Sequence, residues 1–145
     1  ACHLADVAWR EHPDYPAQQA LNRLLYHPFV GLGHAERGFL AYTVFVRYGG
    51  PPDDKCAAPA RALLTDNNQA RARVLGLALR LAFSLSGGTG AMLARARLDW
   101  SAGKLTLQVP ADGSLPPGEA VERRLKALAD ALGAKDSGIG MTKKL

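Results

Sequence analysis

The sequence predicts a mainly α fold with a small β-hairpin, an α+β class, on three observations. Residues 68–85, NQARARVLGLALRLAFSL, are the longest run with helical character and are apolar on nearly every face. Between 93 and 109 the period drops to two. Leu93, Arg95, Arg97 and Asp99 alternate with Ala94, Ala96, Leu98 and Trp100. After Ser101-Ala102-Gly103, Leu105, Leu107 and Val109 alternate with Lys104, Thr106 and Gln108, a hairpin signal. Residues 119–132 then carry Val121, Leu125, Leu128, Ala129 and Leu132 at helical spacing. Helices first, then a hairpin and a helix, suggest a helical domain with a small β appendage.

Residues 1–9 read as the end of a helix, with Leu4, Val7 and Ala8 inward. His12-Pro13-Asp14-Tyr15-Pro16 breaks it, because each proline disfavours helical backbone in the residue before it. A helix resumes over 17–26 on Ala20, Leu21, Leu24 and Leu25, and His27-Pro28 stops it. His34 caps the next helix, 35–48, whose packing stripe is Phe39, Leu40, Thr43, Val44 and Val46. Gly49-Gly50-Pro51-Pro52 ends that helix, and a short one follows over 57–64. Asp66 and Asn67 suit the start of the central helix, 68–85, by accepting from its first backbone N–H groups. Gly87-Gly88-Thr89-Gly90 ends it in residues that tolerate positive φ. Gly133 closes the last helix. Residues 134–145 show no periodicity and are expected to be a mobile tail.

A chain of 145 residues is enough for one domain with a real core, here expected over 1–133. No run of eighteen apolar residues occurs, so no transmembrane helix is expected. The first residues have no basic region and no signal-peptide character. The chain opens on Ala1 rather than an initiator methionine, and reads as a piece of something longer. Cys2 and Cys56 make neither a disulfide framework nor a zinc pattern, which fits a reducing cytoplasm. The net charge is +5 and uneven. Residues 1–50 balance, whereas 71–100 hold Arg71, Arg73, Arg80, Arg95 and Arg97 against Asp99 alone. That is where an anionic partner would be drawn.

Within that stretch, Arg73 and Arg80 lie two turns apart on one helix face with Gly76 between them. A guanidinium stays charged at neutral pH, so the pair reaches water or faces carboxylates or a phosphate. His3, His12, His27 and His34 form no metal motif, and the serines and cysteines lack a nucleophile context. Glu36 in the first turn of 35–48 and Arg47 in its last both suit the helix dipole. A network of Asp6, Arg10, Glu36 and Arg37 is the alternative use of those charges.

The blocks HLADVAWREHPDY, GLGHAERGFLAYTVFVRYGG, ARVLGLALRLAFSLSGG and VERRLKALADALG, in that order, resemble the C-terminal domain of the exopolyphosphatase / guanosine pentaphosphate phosphatase (Ppx/GppA) family. The resemblance implies an HD-like helical domain followed by the hairpin and the last helix. It implies that hydrolysis and magnesium belong to N-terminal actin-like domains upstream of Ala1, that this part needs no cofactor of its own, and that it has no catalytic residue. It also implies a homodimer and a basic channel for polyphosphate or a guanosine pentaphosphate-type substrate. Arg10, Arg37, Arg47, Arg71, Arg73 and Arg80 are the candidate ligands for that anion. HD enzymes hold metals on an adjacent His-Asp pair, whereas this sequence has Ala5-Asp6 with His3 two residues early. One carboxylate does not make a divalent site, so the resemblance argues for an HD-like fold without HD chemistry.

Two other readings stand beside the accessory domain. One is a purely structural or dimerising module, and the other is an HD-type metal phosphohydrolase, against which the missing His speaks. Nucleic acid fits less well, since no helix-turn-helix glycine pattern, RNP-type strand or aromatic interleaving accompanies the arginines.

Overall fold

The computed structural model describes residues 2–4, 6–7, 15–115 and 117–142, in which helices dominate and three strands form one small sheet. The mainly α class with a small β part is therefore the observed one. Contacts sort into two compact units, Ala1–Arg80 and Leu81–Leu145, which divide inside a helix rather than at a linker.

The first unit is helical. Helix α1 (Pro16–Tyr26) begins on Pro16, where a missing N–H costs nothing. Helix α2 (His34–Arg47) starts after Gly33, whose N–H donates to Glu36 Oε2 at 2.7 Å, so the acid three residues on satisfies a donor at the helix entry. A four-residue helical turn, α3 (Ala58–Arg61), leads into α4 (Asp66–Ser86). Thr65, rather than Asp66 or Asn67, supplies the side-chain cap: its Oγ1 accepts from the Asn68 N–H at 3.3 Å. The expected helix end over 1–9 falls partly outside the described residues, and Cys2–Leu4 is one 3-10 turn.

The buried centre of this unit is α2. Gly38 and every residue from Ala41 to Val46 are buried, packed with Ala20, Leu21, Leu24 and Leu25 of α1. The run 68–85 is the longest helix, yet only Ala72, Gly76 and Leu81 within it are buried, while Val74, Leu75, Leu77, Ala78 and Leu79 are half-buried. The approach of α4 to α2 is close. A Cβ built on Gly76 would stand 2.6 Å from the Thr43 carbonyl oxygen and 2.7 Å from Val46 Cβ. A Cβ on Gly49, where φ is +92°, would meet the Arg80 guanidinium at 2.6 Å. Tyr42 with Arg73, Val46 with Gly76 and Gly49 with Arg80 are matched neighbours, so α2 and α4 run in the same direction.

The second unit is a β-β-α-β arrangement. Strand β1 (Arg97–Ser101) pairs antiparallel with β2 (Lys104–Pro110) through a two-residue turn, Ala102-Gly103, in which both residues have positive φ. That conformation matches the right-handed twist of the strands and favours Asn-Gly or Gly-Gly. After β2, helix α6 (Glu119–Leu132) crosses back and β3 (Asp136–Thr142) pairs parallel with β2. Alternate residues of β2, Leu105, Leu107 and Val109, are buried, as are Val121, Leu125, Leu128 and Ala129 of α6, which lies against β2. Gly133 closes α6 in the left-handed region, with the Ala134 N–H returning to the Ala129 carbonyl.

Two sequence expectations change here. The alternation read from Leu93 is helical at its start: Gly90–Leu93 forms a single turn, α5, because Ala, Met and Leu are good helix formers. The tail expected over 134–145 contains β3 at 136–142. Its pattern was hidden because Gly138 and Gly140, poor strand formers, fill one face. The structure gives them a use: the side chains of Lys104 and Gln108 lie across them, where a Cβ would collide with Gln108 at Gly140. Lys104 Nζ also pairs with Asp136 at 2.6 Å, pinning the start of the register.

Two stability measurements follow. Gly76→Ala should lower the unfolding free energy by about 2 kcal/mol, because overpacking against a backbone carbonyl outweighs the roughly 1 kcal/mol that helix propensity returns. Urea denaturation reads it, and a more stable variant would contradict the close approach. Ala102→Asn should raise stability by about 1 kcal/mol by relieving a left-handed alanine.

Candidate functional site: an arginine-lined cleft

Tyr42 lies one turn after Gly38 on α2 and is buried. Its hydroxyl donates to the Pro52 carbonyl at 3.3 Å. Arg61, the last residue of α3, donates from Nη1 to the same carbonyl. Gln69 Nε2 donates to the carbonyls of Arg61 and Leu64 at 3.2 and 3.3 Å, so the first turn of α4 ties down the end of α3. Arg73, one turn after Gln69, completes the rim. With Asp53 and Ala70 these residues enclose an open cleft of about 330 Å³.

Electrostatics mark the cleft as cationic. Burial raises the Tyr42 phenol above its usual 10.0, while Arg61 and Arg73 pull it down and Asp53 pushes it up. Both guanidinium fields therefore reach the hydroxyl. Arg73 is exposed and makes no ion pair among the described residues. Two cations against one carboxylate leave a local excess of positive charge, and each guanidinium is a planar fork suited to two oxygens of a phosphate or carboxylate.

The structure separates the six arginines singled out in the sequence. Arg10 lies outside the described residues. Arg37 bonds His34 Nδ1 at 2.6 Å on the first turn of α2. Arg47 donates to Asp6 Oδ1 at 3.0 Å and lies 4.1 Å over the Tyr48 ring. Arg80 sits against Gly49 at the C-terminal end of α2, where cations are favoured. Arg71 is exposed, two residues and about 200° around α4 from Arg73, away from the cleft. Of the other arginines in the basic stretch 71–100, Arg95 pairs with Asp112 and Arg97 with Asp99. Of the five that are described, only Arg73 lines the cleft. Arg61, Tyr42 and Gln69 were not singled out in the sequence, where Arg61 is a lone cation in an alanine-rich turn and Tyr42 lies outside the packing stripe read for its helix.

A second cavity, about 370 Å³, is lined by Tyr15, Phe45, Tyr48, Asp54 and Cys56 among others. Asp54 Oδ1 accepts from the Cys56 N–H at 2.9 Å. Burial, and then the neighbouring Asp54, push the Cys56 thiol up to about 11, so it stays protonated and is a poor nucleophile at neutral pH. Among the described residues no three His, Cys, Asp or Glu side chains converge. Asp6 is engaged by Arg47. Among the described residues no helix is long and apolar enough to cross a membrane.

In comparison with known families, the one described as exopolyphosphatase, C-terminal, matches residues 1–139. No curated protein matches the chain.

The phenol shift gives a pH signature. A raised folded value means that the unfolded chain loses this proton first, so Tyr42 makes stability fall as pH rises from about 10. Tyr42→Phe should reduce the loss of unfolding free energy between pH 9 and 11. Arg73→Ala should move the Tyr42 ionisation midpoint further up, read by ultraviolet titration against Tyr42→Phe. A midpoint that does not move would place Arg73 away from the hydroxyl.

Proposed function

The chain belongs to the exopolyphosphatase C-terminal family, and on that premise we propose that it is an accessory, non-catalytic domain of a Ppx/GppA-type phosphatase that binds phosphate groups of polyphosphate in the Tyr42–Arg61–Arg73 cleft. The observation that carries this is the open cleft that Arg61 and Arg73 line together beside the buried Tyr42, with Arg73 making no ion pair among the described residues. Hydrolysis, with its magnesium, then belongs to actin-like domains of the same protein, on which this HD-like domain would pack. Guanosine pentaphosphate offers the same oligophosphate chemistry and is the alternative ligand. Self-association into a homodimer and a cytoplasmic location complete the reading.

Polyphosphate is a dense linear anion, so its binding should weaken steeply with salt as counterions are released. A single cleft holds few phosphates, and tight binding of a long chain then needs several such contacts along one ligand. The second reading, a structural module, draws on Arg47 and Arg80, both of which serve the end of α2.

The chain is titrated with long-chain polyphosphate at low and at physiological salt. Arg61→Ala and Arg73→Ala should each weaken binding roughly tenfold, as for a lost charge-assisted hydrogen bond. Together they should flatten the salt dependence by roughly 1.5 units of slope. Arg80→Ala should leave affinity unchanged and cost about 0.5–1 kcal/mol of stability through the end of α2. Wild-type affinity in a folded Arg61/Arg73 double variant would rule the cleft out and favour the structural reading.

A further inference from the structure

Strand β1 is the outer strand on one side of the sheet, ordered β1-β2-β3. The pair Ser101–Lys104 flanks a two-residue turn, so it is hydrogen-bonded, as are Asp99–Thr106 and Arg97–Gln108. The N–H and C=O groups of Leu98 and Trp100 then point out from the sheet, and among the described residues nothing bonds them. Their side chains share a face with Leu105 and Leu107, which α6 covers, yet Leu98 is 43% and Trp100 53% exposed. An open strand edge and two exposed apolar side chains coincide on five residues.

We propose that this edge pairs antiparallel with the β1 edge of a second copy, about a two-fold axis through Leu98. Charge pattern selects that occupant and that register. Arg97 and Asp99 lie on the opposite face of β1, 2.8 Å apart from Nε to Oδ1. Many edge strands carry charges that repel another chain, but such an edge bears one sign. Here the signs alternate and are self-complementary. With Leu98 opposite Leu98 of the second copy, Arg97 of each copy faces Asp99 of the other, twice. Moving the axis to Asp99 would set two carboxylates face to face. The exchange of pairs within the strand for pairs across it is nearly neutral in energy, so the charges choose the register. The backbone ladder and the burial of Leu98 and Trp100 supply affinity, as in strand addition generally. This gives a surface to the self-association in the reading above, and it owes nothing to the anion cleft.

Light scattering and sedimentation of the chain over a concentration series test it. A dimer is expected whose dissociation constant rises about tenfold in Arg97→Asp and in Asp99→Arg, and returns toward wild type in the variant carrying both. Leu98→Pro should abolish it, because the lost N–H is one that β2 does not use. Amide exchange at Leu98 and Trp100 should slow as concentration rises. A monomer at every concentration, a dimer indifferent to the charge reversals, or edge amides protected at all concentrations would each overturn the proposal. Polyphosphate affinity of the same variants is expected to be unchanged, so loss of pairing and loss of the cleft are read separately.

Discussion

At Gly76 the backbone of α4 lies so near α2 that even a methyl group would meet the Thr43 carbonyl. The rest of the helical unit depends on that approach. It brings Gln69 within reach of the α3 carbonyls, Arg73 beside Tyr42, and Arg80 onto Gly49, all along one stripe of α4. Residues at intervals of three and four share a helix face, so one point of contact sets the position of every other on the stripe. A larger residue at 76 would push the helices apart, and Arg73 would leave the hydroxyl while Arg80 left the helix end. The contact thus ties packing and charge together: the same small residue that permits the core permits the cleft.

The two arginines on that stripe do different work although they look equivalent in sequence. The carboxyl end of α2 carries partial negative charge from its last carbonyls. Arg80 at Gly49 and Arg47 with Asp6 answer that local field. Arg73 stands nearly two turns earlier along α2, beside mid-helix residues whose carbonyls are already bonded, and finds Tyr42 and Arg61 instead. Arg61 and Arg73 line one cleft whose single carboxylate is Asp53. Two planar guanidinium groups facing one open cavity suit the oxygens of an anion, which is the physical reason to regard the cleft as a binding site.

Much of this fold was legible in the sequence. Helices over 16–26, 34–47, 66–86 and 119–132 carry apolar residues at helical spacing between proline and glycine breaks, and such local signals survive without tertiary knowledge. The hairpin was legible too, because β2 buries one face and leaves the other half-exposed. Strand β3 was not, because a parallel strand is defined by a partner more than thirty residues away (Lys104 to Asp136) and its glycines answer to Lys104 and Gln108 rather than to neighbours in sequence. Which helix is central was also hidden. Apolar content suggested 68–85, yet burial follows neighbours, and α2 has them on every side over 41–46. The cleft was legible only at Arg73. Arg61 and Tyr42 become site residues through the Pro52 carbonyl that both engage, a meeting of separate segments that no local pattern encodes.

The same distinction between local pattern and assembled partner governs the sheet. A parallel strand cannot be joined to its neighbour by a tight turn, so β2 and β3 require the α6 crossover. One helix is about 10 Å wide, and neighbouring strands are about 4.8 Å apart. A single α6 therefore cannot shield all of a three-stranded face, and it lies against β2 and β3 rather than β1. The margins bear this out: Leu98 and Trp100 on β1, and Met141 on β3, remain exposed beside the buried Leu107, Leu105 and Val109 with which they are paired. These exposed apolar residues of the strands are thus the geometric remainder of covering three strands with one helix. They do not signal poor packing, because β2 itself is fully covered on that side. On β3 the remainder is one methionine, whereas on β1 it is a leucine and a tryptophan beside alternating charges. The asymmetry singles out β1 as the side on which the sheet has room to grow.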